Sequence, residues 1–174
     1  MDFLELAKRR YSCRNFSEKK VEQEKLEKIL EAGRIAPTAV NLQPQKILVL
    51  QSKENLEKLK ECTQYGWNAP VIMIICYDKR LSWKRKYDGK DEGTVDASIV
   101  TTHMMLEAED LGLGTTWIGS FDPEKVKETY DLPEEFEVVS LLPIGYPAED
   151  AMPSAMHNKR KEMSEMVYWD KIEK

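Results

Sequence analysis

Leu26, Ile29, Leu30 and Gly33 stand at i, i+3, i+4 and i+7 and mark one face of a helix over residues 21–33. A different pattern, an unbroken apolar run rich in Val and Ile, occupies residues 71–77 and predicts a buried central strand. Between them, residues 46–50 read as a strand and 53–62 as a helix. Near the N-terminus, Phe3, Leu4, Leu6 and Ala7 precede Lys8-Arg9-Arg10. A first helix is therefore expected, capped by Asp2, with basic residues at its negative end. Residues 95–111 carry apolar side chains on more than one helical face, as a helix buried in a core or a subunit interface does, and Gly112 and Gly114 end it. A strand at 115–118, a helix near 123–130, a strand at 137–144 and a last helix over 163–172 complete the pattern. Strands and helices mix without regular βαβ alternation, so the expected class is α+β with a mainly antiparallel sheet flanked by helices.

At 174 residues the chain suits one compact domain spanning residues 1–174. Asp and Glu number 31 against 26 Lys and Arg, and a formal charge of -5 argues against a nucleic-acid surface. No apolar run approaches a membrane span, and the first ten residues lack a secretory pattern. Cys13, Cys62 and Cys76 have no metal-type spacing and fit reduced thiols in a cytoplasmic protein. Two histidines, His103 and His157, leave little material for a zinc site or a Ser–His machine.

Four segments offer chemistry. In an extended Arg10-Tyr11-Ser12-Cys13-Arg14, residues 10, 12 and 14 project to one side, where Arg, Ser and Arg supply the donors that a phosphate ester requires. By themselves they read more often as a solvated helix end followed by a turn. Residues 36–44 (APTAVNLQP) carry donors between two prolines, and also suit a plain helix-to-strand connection. In residues 112–122 (GLGTTWIGSFD) the glycines permit close backbone approach to a planar ring, or simply stop a helix. Asn158-Lys159-Arg160-Lys161 is a late basic cluster, by default a solvated surface. Residues 78–93 are mostly charged yet include Trp83 and Tyr87, and read as a loop over a site or as a surface excursion.

Taken in order, these segments resemble the nitroreductase family of flavoproteins over nearly the whole chain. RRYSCRNF is similar to the family's Arg-x-Ser-x-Arg-x-Phe opening, APTAVNLQP to its Ala-Pro-Ser-x-x-Asn-x-Gln-Pro loop, GLGTTWIGSFD and LLPIGYP to its late glycine-turn and strand, and HNKRKEMSEMVYW to its C-terminal Arg-Lys segment. The resemblance implies an intertwined homodimer with FMN as cofactor and NADH or NADPH as electron donor. It implies hydride transfer through flavin N5 to an electron-poor acceptor (a nitroaromatic, a quinone or a flavin) by a ping-pong mechanism, with no side-chain acid, base or nucleophile.

Carried over residue by residue, it places Arg10, Tyr11, Ser12 and Arg14 on FMN, Arg10 and Ser12 towards the phosphate and Arg14 nearer the ribityl and ring. Arg160, with Asn158 or Lys161, would close the phosphate site. Pro37, Thr38, Ala39 and Asn41 would come from the other subunit. Backbone at Ile118 and Gly119 would face the reactive edge of the ring, and Gln64 the ribityl or pyrimidine side. Gln45 stands where an aromatic is common and Glu162 where Pro is. Two other readings stay open: a thiol enzyme using Cys76 or Cys13 with His103, and a non-catalytic FMN-binding or sensor protein on the same fold.

Overall fold

The computed structural model describes residues 2–172. Its elements are α1 (Phe3–Arg9), α2 (Gln23–Arg34), β1 (Gln45–Leu50), α3 (Lys53–Leu59), β2 (Val71–Asp78), α4 (Gly93–Asp110), β3 (Gly114–Thr115), α5 (Pro123–Thr129) and β4 (Phe136–Gly145). The strands form one antiparallel sheet in the order β1-β2-β4-β3. The α+β reading therefore holds.

β2 is buried along its whole length because helices or loops cover both faces of the sheet. Alternate side chains of a strand point to opposite faces, and here they divide between two cores. Val71, Met73, Ile75 and Tyr77 pack with Leu26 and Ile29 of α2 and with Ala97, Val100 and Met104 of α4. Ile72, Ile74 and Cys76 pack with Leu59, Val126, Cys13 and Phe16. Close approach of α2 to α4 depends on Gly33, where a Cβ would lie 2.9 Å from the Met104 side chain. α4 begins hard against the sheet at Gly93, where a Cβ would meet the Tyr77 ring at 2.1 Å. The register of β2 on β4 slips between Ile75 and Cys76, an irregularity of the bulge type that strengthens local twist.

Three expectations are corrected. Asp2 occupies the N-cap of α1 without a side-chain cap, whereas Ser52 and Asp122 do cap α3 and α5 by accepting from Asn55 N–H and Lys125 N–H. The strand expected at 115–118 shrinks to Gly114–Thr115 plus a bridge from Ile118 to Leu141. The terminal helix over 163–172 is only a 3-10 turn at Met163–Glu165, with Met163, Tyr168, Trp169 and Ile172 exposed. Isolated short helices are marginal in water, and residues 161–172 are exposed rather than packed into either core. Among the described residues no helix is long and apolar enough to cross a membrane.

Candidate functional site

Residues 10–14 leave α1 in an extended path along β3. Ser12 bridges Thr115, Cys13 N–H donates to the Thr115 carbonyl at 2.9 Å, and the Thr116 hydroxyl donates to the Cys13 carbonyl. Cys13 is fully buried and Tyr11 packs on the same core. In such an extended path, residues 10, 12 and 14 alternate with Tyr11 and Cys13. Burial, with Cys13 beside it, pushes the Tyr11 phenol up to about 12, so near neutral pH it stays a neutral hydroxyl.

The arginines divide sharply. Arg9, Arg34, Arg80 and Arg85 each pair with a carboxylate. Among the described residues, Arg10, Arg14 and Arg160 pair with none. Arg14 lies 5.9 Å from the Trp67 ring centroid, within cation–π range, and Arg160 donates only to the carbonyls of His157 and Lys159. The C-terminal segment is drawn to this end of the molecule by His157, whose Nε2 bonds the Lys8 carbonyl at 3.1 Å and whose ring meets Tyr11 edge-on at 6.3 Å. Asn158, Arg160 and Lys161 follow directly and are exposed.

Beyond β3, the Ile118 N–H is already donated to the Leu141 carbonyl at 2.9 Å, so it is not available to a ligand. Gly119 is exposed with open space around its Cβ position. Its N–H has no acceptor among the described residues. Gln64 sits nearby, in the wall of a cavity of about 460 Å3 with Thr63, Ser120 and Phe121. The Thr63 hydroxyl ties that wall together by donating to the Ser120 carbonyl at 2.8 Å.

The loop carrying Pro37, Thr38, Ala39 and Asn41 lies elsewhere. Ala39 N–H donates to Asp96 in the first turn of α4, whereas Arg9 grips Glu109 in its last turn. At about 1.5 Å rise per residue, those two points on α4 are roughly 20 Å apart. One protomer thus brings together residues 10–14, 64, 118–119 and 157–161 by chain path, and leaves Pro37–Asn41 at the far end of a helix. The loop is strained: Val40, Asn41 and Gln43 have φ of 43°, 58° and 52°, and a β-branched residue in that region is a true outlier. Thr38 steadies it by accepting from the Gln43 N–H at 3.0 Å.

Sequence reasoning missed Asp96 and Trp67. The signal for Asp96 was a carboxylate on the same helical face as buried Val100. For Trp67 there was none, since its contact with Arg14 depends on a left-handed backbone at Trp67 and Asn68. The thiol reading fails on geometry: Cys13, Cys62 and Cys76 are all buried, and burial pushes the Cys76 thiol up to about 12. His103 spends Nδ1 on the Ile99 carbonyl at 2.9 Å within its own helix. Residues 78–93 form a folded arm, closed by a Lys84–Asp91 bridge and ion pairs of Arg85 with Asp88 and Glu92, with Tyr87 97% exposed at its tip.

The nitroreductase family profile matches residues 7–64 and 64–146. A protein of Methanothermobacter thermautotrophicus, provisionally named NADH dehydrogenase/NAD(P)H nitroreductase, is 36% identical over 157 residues, covering 86% of this chain and 80% of that one. An FMN reductase [NAD(P)H] of Bacillus subtilis is 33% identical over 79% of this chain and 63% of its own length. Among solved structures, a nitroreductase family protein of Clostridium difficile superimposes with a TM-score of 0.93 at 43% identity, covering 99% of this chain and 100% of the other. An FMN-dependent nitroreductase of Clostridium difficile gives a TM-score of 0.78 at 29% identity over 97% and 99% of the two chains. With its sheet, its unpaired arginines and these relatives in agreement, the chain belongs to the nitroreductase family.

Proposed function

We propose that this protein is an FMN-dependent oxidoreductase that draws electrons from NADH or NADPH and delivers them to an electron-poor small molecule. The observation that carries this is the set of arginines without carboxylate partners, Arg10, Arg14 and Arg160, on segments that converge beside β3. In a chain of net charge -5, with its other arginines paired, these guanidiniums suit a bound anion such as a phosphate monoester. Arg10 and Ser12 would hold the phosphate and Arg14 the ribityl and ring side. Arg160, with Asn158 or Lys161, would close the site, while the neutral Tyr11 hydroxyl donates. Gly119 N–H, next to open space, would face the reactive edge of the ring, and Gln64 would reach its pyrimidine side. Bound FMN supplies the two-electron chemistry between nicotinamide and acceptor; the chain supplies orientation, donors and positive charge.

The site would be completed by a second copy of the chain. Pro37, Thr38, Ala39 and Asn41 lie roughly 20 Å along α4 from the basic segment, which supports their delivery to the partner's cofactor. A groove of about 350 Å3 on α4, lined by Val95, Ile99, Thr102 and His103, and the exposed Met163, Tyr168 and Trp169 are apolar surfaces that a homodimer would cover. Buried, unpaired thiols fit a cytoplasmic location.

The test begins with the visible spectrum of the purified protein and chromatography of the released cofactor, which should be FMN. NADH or NADPH should bleach the spectrum. Initial rates at varied donor and acceptor should give parallel double-reciprocal lines, as expected when both use one flavin face in turn. Absence of flavin from a reconstituted sample defeats the proposal, a bound flavin that neither nicotinamide bleaches favours the non-catalytic alternative, and intersecting lines defeat the ping-pong scheme.

A further inference from the structure

Among the described residues, Asp96 is 2% exposed and makes no ion pair, unlike the equally buried Asp78, which Arg80 grips. Its Oδ1 accepts the Ala39 N–H at 2.8 Å, and its Oδ2 is buried with no partner. Burial, with Glu92 and Asp91 nearby, pushes its carboxyl above the ordinary value. Burying a half-satisfied carboxylate costs stability, and such a group calls for a reason other than folding. The reason lies one residue on. Ala39 immediately precedes Val40 and Asn41, whose φ angles of 43° and 58° are the most strained step of the loop. Asp96 cannot move to follow the loop, because its α-carbon is fixed in the first turn of an 18-residue helix and its amide is bonded to Glu92.

We propose that Asp96 is a positioning residue: its carboxylate holds the Ala39 amide so that residues 37–41 keep the strained shape in which they meet the partner's cofactor. The proposal rests on the shared-site reading above. The carboxylate touches neither cofactor nor substrate; it acts through the loop backbone.

The test compares Asp96→Ala with Asp96→Asn, which keeps an oxygen acceptor for the amide. FMN release from each holo-dimer on dilution is read by the rise of free-flavin fluorescence, and melting of the FMN-stripped protein is followed alongside. Asp96→Ala should hold FMN about tenfold more weakly, the scale of one lost hydrogen bond, without a lower melting temperature, while Asp96→Asn restores wild-type affinity. Mixed dimers of Asp96→Ala with Arg10→Ala chains should then regain one site of full affinity, because one site receives an intact loop and an intact arginine from different chains. Wild-type affinity in Asp96→Ala, equal loss in Asp96→Asn, or a melting loss that accompanies the affinity loss would overturn the role of Asp96. Weak binding in Asp96→Ala with no recovery in mixed dimers would instead overturn the shared site on which it rests.

Discussion

Arg9 holds Glu109 twice, Nε to the carboxylate at 2.6 Å and Nη2 to the backbone carbonyl at 2.9 Å. This grip consumes the first of two adjacent arginines in docking α1 onto α4 and leaves Arg10 without an acid. The neighbours therefore predict different phenotypes. Arg10→Ala and Arg160→Ala should each weaken FMN binding by about 1.5–3 kcal/mol, the scale of a hydrogen bond to a charged group. Arg9→Ala should mainly loosen α1. Flavin titration with unchanged affinity for both Arg10→Ala and Arg160→Ala would remove them from the phosphate site.

Asp78 ends β2 under the Arg80 guanidinium, which holds its carboxyl down at about 2. A depressed carboxylate stabilises the fold above its ordinary value of 3.8, and that stabilisation disappears as pH falls through about 2. Asp78→Asn should therefore melt below wild type at neutral pH. The gap should close between pH 3.8 and about 2. Equal melting temperatures at pH 7 would show that the Arg80 contact does not stabilise the fold.

The thiolate, not the thiol, attacks alkylating reagents. Cys13, Cys62 and Cys76 are buried, and burial raises Cys13 and Cys76. Native protein treated with iodoacetamide near neutral pH should keep three unmodified cysteines by mass spectrometry and lose no activity. Rapid inactivation with one label incorporated would revive the thiol enzyme.

Sedimentation at sub-micromolar protein should give a dimer, with an interface on the order of 2,000–5,000 Å² as in obligate pairs. Thermal stability should rise with both protein and FMN concentration, since folding, pairing and cofactor binding are linked. A holo-monomer that turns over at full rate is the outcome this arrangement forbids.

Much of this was legible in the sequence, and the rest was hidden for physical reasons. Period-3.6 apolar positions located α2 through Leu26 and Ile29, and the Val/Ile run located β2 as the doubly buried strand. The one cap expected, Asp2, makes no side-chain cap, whereas Ser52 and Asp122, not singled out in the sequence, do cap their helices. Sequence periodicity overcalled 163–172, where among the described residues the apolar side chains pack into neither core. Asp96 escaped notice because an acid in a first turn reads as a response to the helix dipole, and Val40 because nothing about a β-branched residue announces a left-handed backbone.

The pairing of β2 with β4 joins Val71 to Ile144 and Asp78 to Phe136, with all of α4 and α5 between them in the chain. Its central ladder cannot close until residues 136–145 have left the ribosome, and each such contact requires a long loop to be closed first. Until then the apolar run 71–77 of β2 is an unpaired edge beside its early neighbour β1. A nascent chain that still lacks residues 136–145 therefore exposes an unpaired apolar strand, the condition under which chains aggregate.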